Sequence, residues 1–147
     1  MNQTRRLLEA IAENARTGED ACEQLLRKVE DVEMQRELVL EKKNYLAAAE
    51  DAERRLEEMG VPVKHKGAMA RMGMRMGMQM NTMMDKTSTH IAEMLIEGAT
   101  MGIVEMNKAR NSLPEADAQA QGIASNFVIK QQEAIDRLKK VLRLQEV

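Results

Sequence analysis

The sequence predicts an all-α protein, an up-and-down bundle of four long helices with an additional short, Met-rich crossover helix, and three observations carry that prediction. Apolar residues recur at alternating spacings of three and four along four long stretches. The apolar side chains, 44% of the 147 residues, are mainly Leu, Ala, Met, Val and Ile, and only Tyr45 and Phe127 are aromatic. That set favours helices over sheets and makes the core aliphatic and thioether. Turn-forming residues punctuate the stretches at "VEDVE", "GVPVKHKG" and "NSLPEAD". Residues 1–147 are read as a single domain, with 64–84 as a Met-rich basic crossover segment inside it. A chain of this size removes roughly 68–70% of its unfolded surface from water, so one core is enough.

Helix one occupies residues 3–30, where Leu8, Ile11, Ala15, Gly18, Cys22, Leu25, Val29 and Val32 form the apolar stripe of a bundle helix. Gly18 lies on that stripe at a cost of roughly 1 kcal/mol in propensity, and the missing side chain lets another backbone approach. Asp31 offers a cap to helix two, in which Met34, Leu38, Glu41, Tyr45, Ala49, Ala52, Leu56 and Met59 repeat the pattern as far as Gly60 and Pro62.

Helix three follows the methionine segment, with Asp85, Thr87, Ser88 or Thr89 as its N-cap. Its main apolar face is Ile91, Met94, Leu95, Gly98, Met101, Gly102 and Ala109, and Ile96, Ala99, Ile103 and Met106 make the adjoining face apolar too. It is therefore expected to be the most buried helix, packed on the bundle on one side and on the methionine segment or a second chain on the other. Gly98 and Gly102, one turn apart, suggest a close helix crossing. Pro114 suits the first turn of helix four, whose stripe is Ile123, Phe127, Val128, Ala134, Ile135, Leu138, Val141 and Leu142.

The net charge of −2 conceals an asymmetry. Residues 64–86 carry Lys64, Lys66, Arg71, Arg75 and Lys86 against Asp85 alone, a local charge of +4 that leaves −6 for the remainder. A basic segment on an acidic body marks an anionic partner or self-association. With no aromatic residue in that segment to stack bases, and no zinc-finger or RNA-binding signature, nucleic-acid binding is disfavoured. The single cysteine, Cys22, permits no intramolecular disulfide and fits a reducing compartment. "MNQTRRLLEAIAEN" lacks the apolar run of a signal peptide, and no stretch approaches eighteen uninterrupted apolar residues. The expected location is the cytoplasm.

"MMDKTSTHIAEMLIEGATMGI" and the following "NSLPEADAQAQGIASNF" resemble ferritin-like helical-bundle proteins of anaerobic bacteria, a likeness that runs from about residue 20 onward. The resemblance implies a ferritin-like four-helix fold and no established activity. Ferritin-like relatives often carry a di-iron centre, which needs two lone carboxylates and two Glu-x-x-His pairs. This chain has only His65 and His90, and neither stands three residues after a glutamate. A ferritin-type site is absent. The nearest imitation is the reversed pair His90 and Glu93, with Glu97 a turn further on. If the helices run alternately, Glu9 or Glu13 and Glu133 or Asp136 reach the same level. His90, Glu93 and Glu133 are thus the candidate ligands for one divalent ion. Because His90, Glu93 and Glu97 fall along the polar edge of their helix, a solvated face is the preferred reading and no cofactor is expected.

Polar residues within the apolar stripes are more informative, since an unpaired buried polar group costs about 1–3 kcal/mol. Glu41, Glu105 and Gln131 are such positions. Counted from the loops, Glu41 and Glu105 stand at similar depth, where facing carboxylates share a proton or hold a cation. The plainer expectation pairs each with a lysine such as Lys42 or Lys108. Cys22 is read as a buried, inert thiol and His65 as an exposed loop residue.

The segment "GAMARMGMRMGMQMNTMMDK" holds eight of the chain's fourteen methionines in twenty positions. Gly73 and Gly77 argue against a strand. On a helical wheel Met69, Met72, Met76, Met80 and Met83 share about a third of the circumference, opposite Arg71 and Arg75. Thioethers bind Cu(I), but the basic charge and the lack of neighbouring His or Cys count against copper. A membrane-surface helix would want Trp or Phe anchors. Flexible methionine fills gaps and makes adaptable binding surfaces, so these five residues are read as an interaction surface. No nucleophile, phosphate loop or paired acid and base stands in a credible arrangement. The sequence therefore points to a non-enzymatic homo-oligomer or protein-interaction module, with a metal-handling bundle as the alternative.

Overall fold

The computed structural model describes residues 2–63 and 87–145. Four helices and no strand are found among them: α1 (Asn2–Leu26), α2 (Val32–Glu58), α3 (Ser88–Ser112) and α4 (Ala118–Gln145). At 1.5 Å per residue each is about 40 Å long. The methionine segment, with Met69, Met72, Met76, Met80 and Met83, lies outside the described residues, as does the crossover helix expected there.

The helix boundaries follow from local chemistry. The Asp31 side chain accepts a hydrogen bond from the backbone N–H of Met34 at 3.0 Å, capping α2 as its sequence suggests. The helix ends at Gly60, whose φ of +75° needs a residue without a Cβ. Val61 N–H then reaches the Leu56 carbonyl at 2.9 Å and Gly60 N–H that of Glu57 at 2.9 Å, the pair of bonds of a Schellman stop. Thr87, one of the four candidates, caps α3 by accepting from His90 N–H at 3.2 Å. At α4 the expectation is corrected. Pro114 lies in the reversal ahead of the helix, and the Asp117 carboxylate caps it through Ala120 N–H at 2.9 Å.

Contacts fix the helix directions. Arg137 of α4 pairs with Glu37 near the start of α2, Tyr45 meets Gln131 midway, and Arg55 near the end of α2 reaches Asp117 at the start of α4. These two helices are antiparallel. The Thr4 hydroxyl of α1 accepts from Asp117 N–H at 2.8 Å, so α1 and α4 begin at the same end, while Arg110 near the end of α3 meets Gln121 early in α4. The order is up, down, down, up. The alternating, up-and-down direction expected from sequence is therefore corrected: α2 and α3 run parallel, and the end of α2 and the start of α3 lie at opposite ends of the bundle.

The core divides into two clusters along the axis. One joins Leu7, Leu8, Ile11 and Ala15 of α1 with Ala52, Leu56, Met106, Ala120, Ala124 and Phe127. The other joins Cys22, Leu25, Met34, Leu38, Ile91, Leu95 and Leu138. Each fully buried Leu or Ile contributes about 1.5–3 kcal/mol relative to exposure. Tyr45 packs against both clusters, and its ring lies 6.1 Å from that of Phe127 at a tilt of 50°.

Four further expectations need revision. Among the described residues α1 is the helix with the longest buried face, not α3, whose Met101 and Val104 are 56% and 45% exposed. The inward stripe of α3 is Ile91, Ala92, Leu95, Ala99 and Met106, turned away from Met94 and Met101. Val32 starts α2 and is 56% exposed rather than closing the stripe of α1. Gly102 lies against the Phe127 ring, but a Cβ on Gly98 would meet nothing, so no close crossing involves that residue.

Candidate functional site

The most unusual chemistry of the described residues lies at the junction of the two clusters, nearer the end where α2 begins. Three polar residues of two helices enter the interior there. Spacing along α2 puts Leu38, Glu41, Tyr45 and Ala49 on one inward face, and α4 brings Gln131 among Phe127, Ala134, Ile135 and Leu138. The Tyr45 hydroxyl donates to Gln131 Oε1 at 2.9 Å, which satisfies both groups between α2 and α4. Gly18 of α1 makes room for the ring, because a Cβ there would stand 2.5 Å from Tyr45 Cζ. The close approach expected at Gly18 is that of an aromatic ring, not of a backbone.

One turn toward the start of α2, Glu37 forms a forked ion pair with Arg137. Arg137 Nε donates to Glu37 Oε1 at 2.7 Å and to Oε2 at 3.2 Å, and Nη2 donates to Oε2 at 3.1 Å. The Glu37 side chain is 9% exposed. Beside it Glu41 is 3% exposed, and Glu41 Oε2 is, among the described residues, the buried side-chain polar atom without a hydrogen-bond partner. Burial pushes the Glu41 carboxyl up to about 9; a hydrogen bond with Glu37 and the charge of Glu37 add to the rise, and Arg137 opposes it. At neutral pH Glu41 is thus a neutral acid.

The neighbouring groups are inert in acid–base terms. Burial raises the Cys22 thiol well above its usual range, with the charges of Glu41 and Glu37 adding to it. It is a buried thiol, not a nucleophile. Burial also raises the Tyr45 phenol. This layer can hold one proton and one half-buried ion pair between the hairpins, and among the described residues it offers no activated nucleophile.

The residues singled out in the sequence separate. Glu41 and Gln131 are interior, but Glu105 is exposed, which corrects its assignment as a buried carboxylate. The equal depth inferred for Glu41 and Glu105 rested on alternating helices. With α2 and α3 parallel, Glu41 lies in the first half of α2 and Glu105 in the second half of α3, at different depths on either side of the Tyr45–Gln131 level. Glu41 meets Glu37 and Arg137 rather than the lysine expected for it.

The proposed divalent-ion ligands do not converge. His90 is half-buried, Glu93 and Glu133 are exposed, and Glu133 pairs with Lys130 at 3.5 Å. No group of three His, Cys, Asp or Glu side chains fit to hold a metal occurs among the described residues. Since α1 runs opposite to α3, Glu9 and Glu13 lie in the half of the bundle away from His90. His65 lies outside the described residues.

Sequence reasoning missed Glu37, Arg137 and the half-buried pair Arg16–Glu53, in which Arg16 Nη2 donates to Glu53 Oε1 at 2.7 Å. Glu37 and Glu41, one turn apart on the flank of an apolar stripe, were the available signal; their cationic partner depends on helix direction. An open groove on α3, lined by Glu93, Ile96, Glu97, Thr100, Met101 and Leu142, also emerges. No described helix is long and apolar enough to cross a membrane. No protein-family model, curated protein or solved structure matches this chain.

Proposed function

We propose that this chain is a non-enzymatic, ferritin-like helical-bundle protein without a ferritin-type di-iron centre, and that it works by self-association through the outer face of α3. The observation that carries the reading is the exposure of Met101 and Val104 on a helix whose inward face, Ile91, Ala92, Leu95, Ala99 and Met106, is already packed into the bundle. Surface Met and Val clustered beside a groove are the composition of an adaptable contact surface. Ile96 and Met101 line that groove, and Glu93 and Glu97 give it acidic walls. The basic methionine segment, with Met69, Met72, Met76, Met80 and Met83, supports the same reading from sequence. The single connection between parallel α2 and α3 is the arrangement that ferritin-like bundles share. We place the protein in the cytoplasm, a reading supported by its one cysteine being buried and unpaired.

Light scattering on the purified chain tests this. A mass that is a multiple of 16.6 kDa is expected for the wild type. Met101→Lys combined with Val104→Lys is expected to shift the mass toward the monomer with helical content unchanged, because both side chains are exposed in the single chain. A wild-type mass of 16.6 kDa at high concentration would overturn the proposal.

A further inference from the structure

Glu41 stands where groups from three helices converge on the seam between the α1–α2 and α3–α4 hairpins. Glu37 and Tyr45 face it from α2, Cys22 from α1 and Arg137 from α4. Lys42 and Glu19 act on the adjacent Cys22, and Glu133 acts on Arg137. The α3 residues of the same cluster, Ile91, Ala92 and Leu95, are apolar. Two carboxyl groups therefore lie in the field of one guanidinium, whose hydrogen bonds go to Glu37. The forked Glu37–Arg137 pair crosses the seam, and Glu41 Oε2 has no donor to compensate a second negative charge.

We propose that Glu41 is a proton-dependent latch on this seam: as a neutral acid it donates to the Glu37 carboxylate, which closes on Arg137, and as a carboxylate it drives α2 and α4 apart. The physical basis is asymmetric. A neutral Glu41 leaves one carboxylate for one guanidinium and supplies a donor to a nearly buried oxygen. An ionised Glu41 places two like charges one helical turn apart in a site with little solvent to screen them. Relief comes from separating the helices and admitting water, and the cluster around Leu38 and Leu138 resists that separation until the proton is lost.

The test uses the full chain with carbon-13 in its glutamate side chains and spin labels on Lys43→Cys and Gln132→Cys, exposed positions on α2 and α4, with Cys22 left in place because it is buried. The Glu41 carboxyl signal is expected to titrate near 9 rather than near 4.5. The α2–α4 label distance is expected to lengthen with the same midpoint, and Glu41→Gln is expected to hold the short distance throughout. Titration in the ordinary glutamate range, a constant distance while Glu41 ionises, or opening of the Glu41→Gln protein at the same pH would each overturn the latch. Should the variant fold poorly, coincidence of the two midpoints in the protein retaining Glu41 still decides the matter.

Discussion

The ring of Tyr45 lies directly on the backbone of Gly18, so close that no side chain fits between them, while its hydroxyl donates to Gln131 on α4. One residue thus spans α1, α2 and α4 and touches both core clusters.

Gly18→Ala is expected to destabilise the protein although alanine is the better helix former. The propensity gain is about 1 kcal/mol, whereas forcing a packed and hydrogen-bonded ring aside costs about 1–3 kcal/mol and loosens the Gln131 bond. In a Tyr45→Ala background the same substitution is expected to become stabilising, because only the propensity term survives. A double-mutant cycle by urea denaturation reads this change of sign; the same cost in both backgrounds would remove Tyr45 from the explanation.

Glu41→Gln is expected to stabilise the protein near neutral pH, with a gain that shrinks on acidification. The Glu41 carboxyl is raised in the folded state, so its contribution is fully present below the ordinary glutamate range and is lost as pH rises toward about 9. Within that window the wild type loses up to about 1.4 kcal/mol per pH unit that the glutamine protein keeps. Urea melts of both proteins at about pH 5 and pH 7.5 measure it. Glu105→Gln serves as the control for an exposed glutamate.

Asp117→Ala is expected to show the opposite pH behaviour. Its carboxylate accepts from Arg55 Nη2 at 2.8 Å and from Ala120 N–H at 2.9 Å, and the Arg55 bond holds it below the usual aspartate range. A lowered folded value stabilises above the ordinary range and is lost as pH falls through the folded one. Loss of the cap costs about 0.5–2 kcal/mol at neutral pH. Thermal melts at about pH 7 and pH 3 should show that cost fading in acid, and an undiminished cost would leave no role for the carboxylate charge.

The four long helices, the caps at Asp31 and Thr87, the stop at Gly60 and the inward position of Glu41 and Gln131 were legible in the sequence, because each depends on neighbours within one or two turns. Periodicity places a residue on a face, and capping needs only the next three amides. Which faces meet is a different matter. A connection of 29 residues, 59–87, is long enough at about 3.3 Å per residue to reach either end of a bundle about 40 Å long, so sequence leaves α3 free to run either way. The tertiary structure decided that direction. It separated Glu105 from Glu41, sent Glu9 and Glu13 away from His90, gave Glu37 its partner Arg137 from a hundred residues along the chain, and left Met101 and Val104 outside. Burial and pairing are properties of helices side by side, and no local pattern encodes which neighbour a helix acquires.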